Sequence, residues 1–371
     1  MVDIIHFHTE TRSNKGDAAI FEAIKSLLSK NMHIGKYTSK RIEKLKKRSY
    51  PYFIEKTIQG PMGSKIIPQG LFFGDFYKFL KKKQKELLIK NINKHDLMII
   101  GGGGIYSDYF LPFEDDLINS VQIPIVVFGA GYCHNFNGGM LSEEQLRSVR
   151  TLNIKAKLSS VRDNDSKLFI NRLGCKTKVI GDPAVLLESE KFNIKFPKKF
   201  KVGINIANHG WVSQNEHLKN IIHAYIWFLK DLSKKQDIQI YYLMHHPKEK
   251  EVIIEIKKYF PKMKICNYPP RRLKYVYENM DFVLCMMLHS SIFCFGSSTP
   301  FVNIAYDKKN YAFMSLINKK NEVIKFDKVS PKKISAALER ISRRHNKDPS
   351  LDRFLCSNIN FVEKIKQLFD K

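Results

Sequence analysis

Leu97-Met98-Ile99-Ile100-Gly101-Gly102-Gly103-Gly104-Ile105 is an apolar run that ends directly in four glycines. The run has strand length and no polar alternation, which predicts a strand buried on both faces, as in a parallel sheet. The glycines let the backbone turn sharply and leave several N–H groups unobstructed. Gly102, Gly103 and Gly104 are therefore expected to nest a phosphate or carboxylate. A turn needed only for close packing is the competing explanation. The pattern lacks the spacing of a dinucleotide fingerprint, and no Gly-Lys-Ser/Thr follows it as in a P-loop.

Outward from this stretch, short apolar runs alternate with amphipathic ones. Strands are expected at 3–7, 97–100, 123–128, 158–161 and 177–180, then at 202–206, 237–243, 281–284 and 301–305. Helices are expected at 17–30, 72–90, 142–154, 164–172, 215–234, 248–258, 331–345 and 358–369. This alternation predicts an α/β protein with doubly wound sheets. A break at 188–201 divides 371 residues into two Rossmann-like domains facing a cleft. The expected boundaries are 1–190, 191–345 and a helical tail at 346–371. Ligands of such sheets sit beyond the carboxyl ends of the strands.

Sixty-three Lys and Arg against 36 Asp and Glu give a net charge of +27. Such an excess suits a polyanionic partner, or is simply a lysine-rich composition. Specific nucleic-acid binding is not expected, because the basic residues form no single stripe and no RRM, KH, OB or zinc-finger signature is present. No run reaches the ~18 apolar residues of a membrane span. The N-terminus enters a strand-like pattern at once, with no secretory leader expected. Six scattered cysteines without a CxxC pair read as reduced residues of a cytoplasmic protein and not as metal ligands. Phe72-Phe73-Gly74-Asp75-Phe76-Tyr77-Lys78-Phe79-Leu80, followed by lysines, has one apolar helical face. It is either a helix docked on the sheet or a peripheral contact with an anionic membrane face.

Other candidates lie just past strand ends. Asn14-Lys15-Gly16-Asp17 follows the first strand, with Asp17 expected to cap a helix and Gly16 to permit the turn before it. Val161-Arg162-Asp163 places an Arg where its planar fork can hold a phosphate or carboxylate, unless it is a surface residue paired with Asp163. Gly181-Asp182-Pro183 is expected to close the first domain, with structural and functional roles both open. His289, followed by Ser290 and Ser291, sits at a strand-to-helix junction, where it either faces the cleft and moves a proton or is a satisfied core histidine. Lys308 and Lys309 end a buried strand, and one of them can reach the cleft. His245 and His246 are adjacent, which disfavours a shared metal ion, and are expected to touch an acceptor sugar.

Taken in order, these pieces resemble the polysaccharide pyruvyl transferase family. The resemblance rests on Asn14-x-Gly16-Asp17, Gly101–Gly104 with Asp108, Gly129-Ala130-Gly131, Val161-Arg162-Asp163 with Ser166, and Asp182-Pro183-Ala184. It continues through Leu288-His289-x-x-Ile292, Gly296-x-x-x-Pro300, Tyr306-Asp307-x-Lys309 and Phe313. It implies a GT-B-like fold, phosphoenolpyruvate as donor, and a sugar of a cell-surface polysaccharide or its lipid-linked precursor as acceptor. The implied product is a pyruvate ketal, with no metal or organic cofactor. Arg162, His289 and Lys309 match the family's donor-site positions and are expected to be catalytic, and Asn14, Gly16, Asp17, Ser290 and the glycine loop are expected to contact the donor. The family often carries an Arg two residues before the motif His, where this chain has Met287; Arg271 or Arg272 could replace its charge. Two other readings share these features: a GT-B glycosyltransferase using a nucleotide sugar, and a non-catalytic relative.

Overall fold

The computed structural model describes residues 1–9, 13–41, 73–107, 115–133, 141–208, 216–342 and 349–370. Among the described residues twelve strands form two sheets of six. In chain order they are β1 (Val2–His8), β2 (Ile34–Arg41), β3 (Leu97–Gly101), β4 (Ile125–Ala130), β5 (Leu158–Val161), β6 (Lys178–Val179), β7 (Phe200–Ile204), β8 (Ile238–Leu243), β9 (Lys264–Cys266), β10 (Phe282–Cys285), β11 (Phe301–Ala305) and β12 (Val323–Lys325). The first sheet runs β2-β1-β3-β4-β5-β6 and the second β12-β11-β10-β7-β8-β9. Every paired neighbour is parallel.

Helices cover the sheets: α1 (Lys15–Asn31), α2 (Phe73–Ile92), α3 (Asp115–Ser120), α4 (Glu143–Lys155), α5 (Asn164–Arg172), α6 (Glu216–Lys235), α7 (Lys250–Tyr259), α8 (Pro270–Glu278), α9 (Leu288–Gly296), α10 (Lys308–Leu316), α11 (Pro331–Ser342) and α12 (Pro349–Lys366). Strand order reverses between β1 and β3 in the first sheet and between β7 and β10 in the second. These are the switch points where a doubly wound sheet opens a crevice for ligand.

The strands expected from apolar runs are present, and β3 and β4 are buried at every position. The sequence reading missed β2, β9 and β12. All three are edge strands, and edges are kept short or charged, so they carry no continuous apolar signal. It also missed the short α3, α8 and α10. The last helix begins at Pro349, earlier than expected, because proline's fixed φ suits a first helical turn.

One apolar core lies between the two sheets. It joins Ile4, Ile20 and Phe128 of the first domain to Tyr241, Leu273 and Phe293 of the second. Two further cores cover the outer faces. The helix expected as a tail, α12, belongs to the shared core and returns to the first domain. Its Phe361 packs edge-on against Phe128 at 5.1 Å, and Asn358 Nδ2 donates to the Ile180 carbonyl at 2.7 Å. Buried Lys274 of α8 donates to the Val185 carbonyl at 2.9 Å, tying the second domain to the closing turn of the first. Burial pushes its pKa down to about 8. No helix among the described residues is long and apolar enough to cross a membrane. The apolar face expected over Phe72–Leu80 lies outside the residues whose side chains are described.

Candidate active site

The turn after β1 sets the first wall. Asn14, not Asp17, caps α1: its Oδ1 accepts from Gly16 N at 3.0 Å, and its Nδ2 donates to Asp17 Oδ2 at 2.9 Å. The helix therefore starts earlier than Asp17 suggested, and Asp17 falls in its first turn, where a carboxylate suits the helix dipole. Gly16 is helical and its freedom of turn is not used. What matters is its missing side chain, because a Cβ there would lie 2.0 Å from His289 Nδ1. The backbone is tied across the domains as well, with Lys15 N donating to the His245 carbonyl at 3.1 Å.

The glycine loop after β3 has a different environment. Gly102 and Gly103 hold φ of +74° and +71°, a region that side chains make costly. A Cβ on Gly102 would lie 1.9 Å from Ile20 Cγ2, and one on Gly103 2.6 Å from Thr9 Oγ1. Gly102 N donates to the Phe128 carbonyl at 2.9 Å, and Gly131 N donates to the Gly103 carbonyl at 2.8 Å. These contacts lock the loop to its own domain. Asp108 lies outside the described residues.

Arg162 leaves the end of β5 and is buried, as is Asp163. Asp163 caps α5, its Oδ1 accepting from Ser166 N at 2.7 Å, while Arg162 Nε donates to its Oδ2 at 3.3 Å. Arg162 Nη2 also donates to Cys133 Sγ at 3.3 Å. Gly131 makes room for the guanidinium, since a Cβ there would lie 2.3 Å from Arg162 Nε. Lys309, in the first turn of α10, lies 3.5 Å from Asp307 Oδ2. Arg162, Asp163, Asp182 and Lys309 form the polar wall of one hollow; Leu288, Ile292 and Phe313 form its apolar wall.

His289 opens α9 at the edge of this hollow. Its Nε2 lies 3.8 Å from Asp182 Oδ2. Burial holds the imidazole well below its usual pKa, and the charges of His245, Arg162 and Lys309 push the same way. Burial pushes Asp182 up to about 6 against the attraction of Arg162. The resting histidine is therefore neutral. Arg162, Lys309 and His289, predicted separately, thus converge, and Gly16 touches the same group.

The remaining candidates fall elsewhere. Ser290 is fully buried behind the hollow and accepts from the Tyr277 hydroxyl at 2.7 Å. That hydroxyl is 2.7 Å from His245 Nε2, so His245 is an interior group. Burial lowers its pKa to about 3. His246 caps a short turn, its Nδ1 accepting from Lys248 N at 3.1 Å. The turn is held by Glu249, whose Oε1 accepts from His246 N at 2.7 Å and His245 N at 3.1 Å. Burial lifts Glu249 to about 8. Met287 is buried, and its N–H donates to Asn205 Oδ1 at 2.9 Å. Arg271 and Arg272 do not replace a charge there; they are half-exposed and pair with Glu188 and Glu190. The sequence reading left Asp182 undecided and gave Gly131 no role of its own. Both owe their places to partners distant in the chain, which no local pattern announces. Among the described residues no cluster of three or more His, Cys, Asp or Glu could hold a metal ion.

A family model described as polysaccharide pyruvyl transferase matches residues 14–308. No curated protein matches the chain in sequence. Solved structures share its architecture. A putative UDP-N-acetylglucosamine 2-epimerase from Listeria monocytogenes superposes with a TM-score of 0.59 at 11% identity, over 98% of this chain and 94% of the other. UDP-GlcNAc 2-epimerase from Neisseria meningitidis, bound to UDP-GlcNAc, gives 0.58 at 12% identity over 100% and 99%. The trehalose-6-phosphate synthase OtsA gives 0.55 at 11% identity over 100% and 99%. At such identities the likeness speaks for the fold alone, which is GT-B: two Rossmann-like domains across a crevice.

Proposed function

The chain belongs to the polysaccharide pyruvyl transferase family, a family of sugar-modifying transferases, and from that premise we propose that it moves the pyruvyl group of phosphoenolpyruvate onto two hydroxyls of a saccharide or its lipid-linked precursor. The product is a cyclic ketal. The observation that carries this reading is the hollow walled by Arg162, Lys309 and Asp182, with His289 Nε2 3.8 Å from the Asp182 carboxyl. Two cations in one small pocket suit a compact molecule bearing both a phosphate and a carboxylate. Arg162 can engage either group with its planar fork. Lys309 supplies a second, point-like charge.

The reaction asks for a proton on the donor's methylene carbon. The adjoining carbon then becomes electrophilic, one sugar hydroxyl attacks it and phosphate leaves. The neighbouring hydroxyl closes the ring. Of the two hydroxyl protons lost, one ends on the new methyl group and the other on phosphate. His289 is the group placed to pass protons between hydroxyl and donor, and assistance of this kind contributes roughly 10²- to 10⁴-fold. No cofactor enters this scheme.

The test is incubation with phosphoenolpyruvate and candidate saccharides, reading inorganic phosphate and the ketal by mass spectrometry. A thermal-shift comparison with UDP-, GDP- and CMP-sugars runs beside it. Stabilisation by phosphoenolpyruvate with phosphate release supports the reading. Stabilisation by a nucleotide sugar alone replaces it with a glycosyltransferase. No response to any donor makes the chain a non-catalytic member.

A further inference from the structure

Asp182 is an acid that the proposed reaction does not yet use. It follows the short strand β6, and its Oδ1 accepts from Ala184 N at 3.0 Å, which fixes the carboxyl plane. Its Oδ2 is buried and has no hydrogen-bond partner among the described residues; the same is true of His289 Nε2. A buried polar atom left unpaired is costly, and such atoms are rare in native folds. Here two of them, a carboxyl oxygen and a ring nitrogen that can each carry a proton, face each other at 3.8 Å from opposite domains. A single proton and an approach of roughly 1 Å would satisfy both at once.

We propose that Asp182 and His289 act as one proton-holding pair, which takes up a proton when an anionic donor enters the hollow and releases it to that donor during turnover. This rests on reading the hollow as the phosphoenolpyruvate site. The charged groups around the pair set the direction. Asp182 faces Arg162 beyond β5, Asp163 at the cap of α5 and His289 on α9. His289 faces His245 beyond β8, Arg162, Lys309 on α10 and Asp182. Arg162 and Lys309 oppose a positive imidazole while the hollow is empty. A donor binding between them neutralises their charge and weakens that opposition. The same donor places negative charge beside Asp182, which makes an ionised carboxylate there less favourable. Both effects draw a proton onto the pair.

The stored proton then passes to the methylene carbon. The pair recovers a proton from a sugar hydroxyl and returns it to solvent when the products leave and the charges of Arg162 and Lys309 again oppose it, so it ends the cycle as it began. Gly16 belongs to the same device, because any side chain there would push the imidazole from its place over the N-terminus of α1.

The experiment is calorimetric titration of the full chain with phosphoenolpyruvate near neutral pH, in several buffers of differing ionisation enthalpy. The dependence of heat on buffer counts the protons exchanged. Asp182→Asn keeps an oxygen for Ala184 N, so the turn is preserved, and a thermal melt checks this. Wild type is expected to take up about one proton more per donor than Asp182→Asn, because a coupled pair gains its proton as a unit. His289→Gln is expected to lose the same proton, which keeps the test decisive if the aspartate variant folds poorly. Equal proton counts in wild type and both variants, with phosphoenolpyruvate binding and turnover intact in wild type, overturn the pair and leave the proposed function standing. A wild type that neither binds phosphoenolpyruvate nor releases phosphate overturns both.

Discussion

The Asn14–Asp17 turn and the Gly101–Gly104 loop leave neighbouring strands at the same end of the same sheet, yet their glycines serve different ends. The space beside Gly102 is filled by Ile20 of its own domain, at 1.9 Å from where a Cβ would be. The space beside Gly16 is filled by His289 of the other domain, at 2.0 Å. One glycine lets a domain pack on itself; the other lets two domains meet around a reactive group. Read along the chain, both turns offered contacts to the donor, and nothing local told their glycines apart. Residue type and position in the sheet are therefore insufficient to assign a role; the identity of the neighbour decides it.

His289→Ala tests the turn side most severely. Turnover is expected to fall about 10²- to 10⁴-fold while donor affinity falls less, because the imidazole moves protons and does not carry the donor's charge. Steady-state kinetics with phosphate release decide this, and a near-wild-type kcat removes His289 from the reaction. Gly16→Ala should follow, since it forces the ring aside without deleting it. A displacement of roughly 1 Å at a reacting group can cost about 100-fold. The expected result is a lower kcat with little change in melting temperature, and full activity would break the comparison.

Gly102→Ala is expected to act through stability instead. It adds overlap with Ile20 to a positive φ, together worth about 2–3 kcal/mol, and should lower the denaturant midpoint while folded protein keeps its kcat. A selective loss of donor binding would return the loop to the role first expected of it. The smallest effect on turnover lies away from both turns, at Glu249. Its folded pKa is raised from 4.5 to about 8, so the folded state holds its proton more tightly than the unfolded chain. The stability this contributes is present below the unfolded value and is lost as pH rises through that window, at no more than about 1.4 kcal/mol per pH unit. Glu249→Gln should flatten stability over this range without changing kcat at a given pH. An unaltered slope would show that Glu249 does not titrate there.

Much of the architecture was legible in the chain because buried parallel strands write themselves as unbroken apolar runs. Ile99-Ile100 and Val126-Val127 needed no partner to be recognised, since both faces of their strands are covered. The edge strands β2, β9 and β12 were not legible, because an edge presents one side to solvent and tolerates charge. At the site, Arg162, His289 and Lys309 stood out as polar groups just beyond apolar runs, the place where such sheets bind ligands. Ser290 and His245 shared that signal but turned inward, where the Tyr277 hydroxyl lies between them.

The sequence by itself determined the alternation of elements, the two parallel sheets and the family, because those depend on hydrophobic period and on motifs of a few residues. Only the tertiary structure decided that Gly16 makes room for His289 and that Asp182 faces it. Those pairs lie more than a hundred residues apart, and their contact depends on how two domains pack over a shared core, a geometry that no local period encodes.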